Sequence, residues 1–273
     1  MLPKAVALAR SSHPGPTVAV TIVTVVLSIG AGLDAPRVVL IGVVMLLDQL
    51  SVGWSNDWID AARDRTVGRT DKPVAQGLIS VRAVRAAAII AAALSLLLTL
   101  PLGWPATIGH TIALASAWVY NARLKNSALS VAPFALSFGL LPLIVTLSAT
   151  PPAVAAWWAI AAAALLGVAA HFANVLPDLE ADRATGVRGL PHRVGVRVSG
   201  VVIAGSLAAA SGLLLFGGLD IVHVIGFALA LVLAAVSLVL VFTRPPTRLL
   251  FQLIIAAALL DVALLAISGV GLR

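Results

Sequence analysis

Nine apolar stretches of about 20 residues each run the length of this 273-residue chain, and they decide its solvent before any motif is considered. They fall at roughly 16–33, 37–61, 82–100, 104–121, 129–149, 152–176, 197–216, 221–242 and 248–270. At about 1.5 Å of rise per residue, each is long enough to cross the roughly 30 Å hydrocarbon core of a bilayer. Lipid offers no partner to a free backbone amide, and the stretches are too long for barrel strands. The pattern therefore predicts an all-α, polytopic membrane protein. Pro101, Pro105, Pro151, Pro152, Gly217, Gly218, Pro245 and Pro246 mark the joints. With 60% hydrophobic and 11% charged residues, the composition excludes a soluble enzyme, a secreted disulfide scaffold and a disordered interaction protein. Cysteine is absent, which removes disulfides, thiolate metal sites and a cysteine nucleophile.

The net charge of +7 does not point to nucleic acid, because in a membrane protein basic residues first report orientation. Sixteen of the 18 fall before the first span or after an even-numbered one, leaving Arg37 and Arg273 on the other side. The positive-inside rule then places the N-terminus and the even-numbered exits in the cytoplasm and the C-terminus outside. Fifteen of the 18 are Arg, and Ala and Val abound, which suits a GC-rich bacterial genome and a bacterial cell membrane.

The acidic residues concentrate in two segments that match each other. Asn56, Asp60, Asp64 and Arg65 are repeated by Asn174, Asp178, Asp182 and Arg183, at a constant offset of 118 residues. The repeat divides one membrane-embedded domain, 1–273, into similar halves of roughly 1–125 and 126–273. Similar halves with a site at their interface recur in multi-spanning proteins. Both motifs end spans running in the same direction, so both face the cytoplasm. On a helix, positions i, i+4 and i+8 form a drifting stripe, which groups Asn56 with Asp60 and Asp64. Pro177 interrupts the second stripe by removing one backbone donor. Four carboxylates across a cleft repel unless cations lie between them. Oxygen donors of this kind suit Mg2+, which completes its shell with phosphate oxygens and water. Arg65, Arg69, Lys72, Arg183 and Arg188 supply donors for the same phosphates. The cluster reads as a metal-bridged diphosphate site, with carboxylates that only solvate helix ends as the plainer alternative.

The first motif, Asn56-Asp57-x2-Asp60-x3-Asp64, resembles the first aspartate motif of the UbiA superfamily of intramembrane prenyltransferases. Asn174-x3-Asp178-x3-Asp182 resembles the second, and Tyr120 to Lys125 resembles the Tyr-and-Lys segment after the fourth helix. The resemblance implies nine helices around a central cavity, capped by loops that hold an isoprenyl diphosphate through Mg2+. It makes Asp60, Asp64, Asp178 and Asp182 catalytic and, with Asn56, metal-binding. Asn56, Asn174, Tyr120, Arg123, Lys125 and the flanking Arg and Lys residues become substrate-binding. Ionisation would give an allylic cation, captured by a lipophilic or aromatic acceptor. Two departures count against a hydroxybenzoate-type acceptor: Leu124 separates Arg123 from Lys125, and the chain is short for the family. A membrane terpene cyclase, in which an internal alkene traps the cation, is the second reading, and a transporter is a distant third.

Other residues leave two readings open. His171 is either a base facing the same cavity or a helix-packing residue. His110 reads as structural. Asp48 and Asp261 are intramembrane carboxylates, costly groups that face a bundle interior. Trp54, Trp58, Trp118, Tyr120 and Phe172 either anchor at the interface or line the cavity as π faces.

Overall fold

The structure is a computed structural model that describes residues 3–176, 179, 182, 186–243, 248–267 and 272. Every long element is a helix. A short α1 (Lys4–Arg10) precedes α2 (Pro14–Gly30), α3 (Ala35–Thr66), α4 (Val81–Thr99), α5 (Trp104–Ala122) and α6 (Ala132–Leu147). Then come α7 (Trp157–Val175), α8 (Leu190–Leu214), α9 (Ile221–Thr243) and α10 (Arg248–Ile267). Proline opens α2, α3, α5, α6 and α8 within the first two positions, where its missing N–H costs nothing. Asp34 caps α3 by accepting from Arg37 N at 2.9 Å, and Ser80 caps α4 by accepting from Ala83 N at 3.2 Å.

From α2 on, each helix packs on its neighbour in the chain, and α10 returns to α2, so the bundle closes into a ring. The α3–α5, α2–α6 and α7–α10 contacts cross its interior. The largest buried cluster centres on α7 and α8, around Leu166, Phe172, Ile203 and Leu207. Gly167 lets α7 approach α6 closely: a Cβ there would lie 2.4 Å from the Phe134 carbonyl oxygen. The outer faces carry exposed Val, Ile and Leu, for example Val232 and Val239 on α9, as lipid requires. Inside α2, Thr21, Thr24 and Ser28 donate to carbonyls four residues back, which satisfies their hydroxyls without water.

The nine expected spans are matched by nine long helices among the described residues, α2 to α10. Five of them, α3, α4, α7, α8 and α9, are long and apolar enough to cross a bilayer, and the bent α1–α2 pair makes a sixth. Length and hydropathy alone thus support five to six spans rather than nine. α6 is only 16 residues long, and α5 buries Thr107, His110 and Asn121 against its neighbours. A helix sheltered on one side needs less apolar surface than one bathed in lipid.

Two irregularities place the site. α1 and α2 meet at 65° around His13, whose φ of 54° is left-handed. The corner rests on α3 at Gly53, where a Cβ would meet the Ser12 carbonyl oxygen at 2.2 Å. Trp54 donates to Leu8 O at 2.9 Å one residue on. The expected first span, 16–33, is therefore preceded by a seven-residue helix set at 65° to it and seated against α3. α8 breaks at Gly195 (φ 79°), so residues 190–194, with His192 on the cavity wall, form a separate turn of helix before the long part of α8.

Candidate active site

The helix ends that carry the two motifs enclose a cavity of about 380 Å³. α3 contributes Asn56, Asp57, Asp60 and Arg63, the following loop Arg69, Asp71 and Lys72, and the end of α5 Tyr120 and Lys125. His171 and Asn174 of α7, Asp182 and His192 close the far side, with Arg10 and His13 from the α1–α2 corner. The two halves of the repeat thus meet here through Asn56 and Asp60 on one side and Asn174 and Asp182 on the other. Asp178 and Arg183 lie outside the described residues.

The first motif does not act as a single stripe. Asp60 lines the cavity and pairs with Lys125 and with Arg63 Nη2, the latter at 2.9 Å. Asp64 is 2% exposed and sits behind it, with Arg63 Nη2 at 3.3 Å and Lys72 Nζ at 3.2 Å. Asp57, 1% exposed, shares Lys72 at 3.0 Å and accepts from His13 Nε2 at 2.9 Å. Asp57 and Asp64 are seven residues apart, nearly two helical turns, so one ammonium reaches both. Burial opposes the charge on Lys72, but Asp57 and Asp64 outweigh it and hold its pKa above the ordinary lysine value. Burial, aided by Arg63 and Lys72, instead pushes Lys125 below that value despite Asp60.

Asn121 sets the amide of Asn56. It donates to Val52 O at 2.9 Å and Ser55 Oγ at 2.8 Å, which ties α5 to α3, and accepts from Asn56 Nδ2 at 3.4 Å. The Asn56 oxygen is left facing Lys72 Nζ at 3.3 Å. Arg69 makes a two-pronged contact with Asp71, at 2.8 and 2.7 Å, which holds the Asp71 carboxyl at about 2. His192 Nε2 lies 3.3 Å from Asp182 Oδ2.

Not every expected residue reaches the cavity. Arg65 is exposed and donates to Val74 O at 3.4 Å, holding the loop that carries Lys72. Arg123 and Arg188 are exposed and are not among the lining residues. Of the five aromatics, Tyr120 lines the cavity, packed edge-on against Phe134 at 5.0 Å and His171 at 5.8 Å. Trp58 and Trp118 pack on each other at 6.1 Å, with Arg85 over Trp58. His171 lines the cavity and pairs through Nε2 with Ser130 Oγ at 3.0 Å. Asp261 is fully buried and accepts from Ser211 Oγ at 2.6 Å, a bond between α10 and α8 remote from the site. Sequence reading passed over Arg10, His13, Arg63, Asp71 and His192. Only Arg63, three residues after Asp60 on the same helix, carried a local signal.

Among the described residues, no three carboxylate or histidine side chains converge into a closed metal cage. The available donors are carboxylate and amide oxygens: Asn56, Asp57 and Asp60 on one wall, Asn174 and Asp182 on the other. This set fits Mg2+, which binds through one or two carboxylates and takes its other ligands from phosphate and water.

In structure, the chain is similar to a UbiA homologue from Archaeoglobus fulgidus bound to GPP and Mg2+. The two share 18% identity over 96% of this chain and 99% of that one, with a TM-score of 0.72. The same homologue bound to DMAPP and Mg2+ matches at 19% identity, TM-score 0.73, over 96% and 99%. A UbiA homologue from Aeropyrum pernix K1 matches at 17% identity, TM-score 0.67, over 99% and 98%. No curated protein matches the chain in sequence. The sequence profile of the UbiA prenyltransferase family matches residues 17–267, nearly the whole chain, and with the helical ring and the paired motifs around one cavity, the protein belongs to that family.

Proposed function

We propose that the protein is a Mg2+-dependent prenyltransferase that ionises an isoprenyl diphosphate and transfers the prenyl group to a lipophilic or aromatic acceptor in the membrane. The observation that carries this reading is the composition of the cavity. Its walls hold five side-chain cations, Arg10, Arg63, Arg69, Lys72 and Lys125, against four carboxylates, Asp57, Asp60, Asp71 and Asp182. The site is close to neutral before substrate arrives, so a diphosphate needs further positive charge. Mg2+ held by Asp60 and Asp182 would supply it, a reading that the bound diphosphates and Mg2+ of the Archaeoglobus fulgidus homologue support.

When bound, Mg2+ neutralises the diphosphate and draws electron density from the leaving oxygen. The chain's own part is to hold and orient. Lys72, fixed by Asp57 and Asp64, presents a lasting positive charge to the phosphates. Lys125 is poised to shift from Asp60 to a phosphate oxygen, whose negative charge offsets the burial that works against its own charge. The C–O bond then breaks with its electron pair leaving on pyrophosphate, and the Tyr120 ring faces the cation that forms. The apolar bundle below receives the isoprenoid chain. The basic rim, including Arg65, Arg69 and Lys72, orients this mouth toward the cytoplasm.

The test is purified protein with Mg2+ and a panel of C10 to C20 and longer prenyl diphosphates, with released pyrophosphate and extracted products measured. Pyrophosphate release that depends on an added acceptor establishes transfer. A cyclic hydrocarbon from the diphosphate alone establishes cyclisation instead. Within that assay Arg69→Ala and Lys125→Ala should each raise KM for the diphosphate more than they lower kcat, since both act on phosphate binding. Silence of both across a range of concentrations would move the phosphate cradle to other residues.

A further inference from the structure

A second, smaller cavity of about 40 Å³ lies among α2, α3, α5 and α6. Its polar lining is Asp48, Gln49, His110 and Ser137, set among apolar side chains such as Met45 and Phe138. Asp48 precedes Asp57 by nine residues on α3, so it lies about 13 Å along the helix axis from the diphosphate cavity. On α5, Ala117 lines the small cavity and Tyr120 the large one, a single turn apart.

The polar groups form a connected set. Asp48 Oδ2 accepts from Gln49 Nε2 at 2.8 Å, and Oδ1 pairs with His110 Nε2 at 3.1 Å. A carboxylate only accepts, so His110 Nε2 donates to it, and the Thr99 hydroxyl, which donates to Ser95 O at 2.7 Å, lies 2.7 Å from His110 Nδ1. Asp48 and His110 are 5% and 1% exposed. They are the titratable groups among the residues lining this cavity. Two donors leave a carboxylate with lone pairs to spare. A space of this size is enough for one small polar group.

An isoprenoid chain has no polar group along it and gains nothing from such a lining, which would cost free energy to cover with hydrocarbon. The chamber suits the other substrate. We propose that it is the head-group site of the acceptor, a neutral lipophilic molecule bearing a hydroxyl, and that Asp48 selects it by accepting the O–H hydrogen bond and repelling carboxylates. This rests on the prenyl-transfer reading above. His110 and Gln49 are positioning residues: they hold the carboxylate but leave its free lone pairs to the ligand. A site built around one such bond discriminates strongly against molecules that lack the donor.

The experiment is photolabelling of the full-length, detergent-solubilised protein with two diazirine probes of equal chain length, an alkylphenol and an alkylbenzoate. Labelled peptides are mapped by mass spectrometry. The phenol should label the α3 and α5 segments around Asp48 and His110, and the benzoate should label them about tenfold less. Asp48→Asn should lower phenol labelling about tenfold and narrow the gap between the probes, while KM for the prenyl diphosphate stays unchanged. His110→Gln, which keeps a donor toward Asp48, should reduce labelling less. Equal labelling by both probes in the wild-type protein would overturn the proposal. So would undiminished phenol labelling in whichever variant elutes as a monodisperse peak. Labelling is read independently of pyrophosphate release, so an inactive protein that labels as expected would indict the prenyl-transfer reading and not the chamber.

Discussion

Excess EDTA should bring pyrophosphate release to background, and added Mg2+ should restore it. The walls of the cavity explain why the loss should be complete. Asp57, Asp60 and Asp64 already share Arg63, Lys72, Lys125 and His13, so the side-chain cations are largely committed before a diphosphate arrives. Releasing them to the substrate would strand buried carboxylates, a change that costs several kcal/mol per group. Mg2+ held by the carboxylates would supply the missing positive charge without that cost. The open donor set adds a second expectation. With no closed protein cage among the described residues, Mg2+ alone should bind weakly, and tightly only with the diphosphate present. Isothermal titration of Mg2+ with and without a non-hydrolysable prenyl diphosphate analogue measures that coupling. Full turnover in metal-free buffer would remove the metal-bridged site and the reading built on it.

The all-helical membrane fold was legible because hydrocarbon imposes a length and a composition, whereas the count of nine spans was not, since five to six of the helices among the described residues meet that length and hydropathy. Of the candidate site residues, those where chemistry and repetition coincide, Asn56, Asp60, Asn174 and Asp182, line one cavity. What stayed hidden depends on rotation and on distant chain. At about 100° per residue, Asp64 is turned some 80° from Asn56. That puts Asp64 on the same side of the helix as Asp57 but two turns further on, where it pairs with Lys72 beyond the cavity lining. His13 is 44 residues from its partner Asp57 and arrives only because the chain bends at a left-handed residue against Gly53. No local pattern announces such a contact. The mid-bundle pair Asp48 and His110 is 62 residues apart on two helices, so each read alone as an isolated buried polar group.

Asp60→Asn and Asp182→Asn should each lower turnover by about 10²-fold or more, and the double variant should be hardly worse than either. Asp60 and Asp182 line the cavity from opposite sides, and in the proposed mechanism each would hold metal as part of the unit that stabilises the leaving group. Once one wall is lost, the opposite wall has nothing to complete, so the second loss is small. Additive losses would instead mean that the two residues act in separate steps. Asparagine is chosen because of the packing around Asp60. That carboxylate is paired with Lys125 through one oxygen and Arg63 through the other, and alanine would leave both cations facing a gap, whereas asparagine keeps the volume and one acceptor oxygen for one of them. Asp182, with His192 at 3.3 Å, is less enclosed and should tolerate the change with little effect on thermal stability. The measurements are single-turnover pyrophosphate release for the two single variants and the double one, with a monodisperse peak in detergent as the folding control. Near wild-type turnover in well-folded Asp182→Asn would show that one wall suffices, and the two-sided clamp would have to be abandoned.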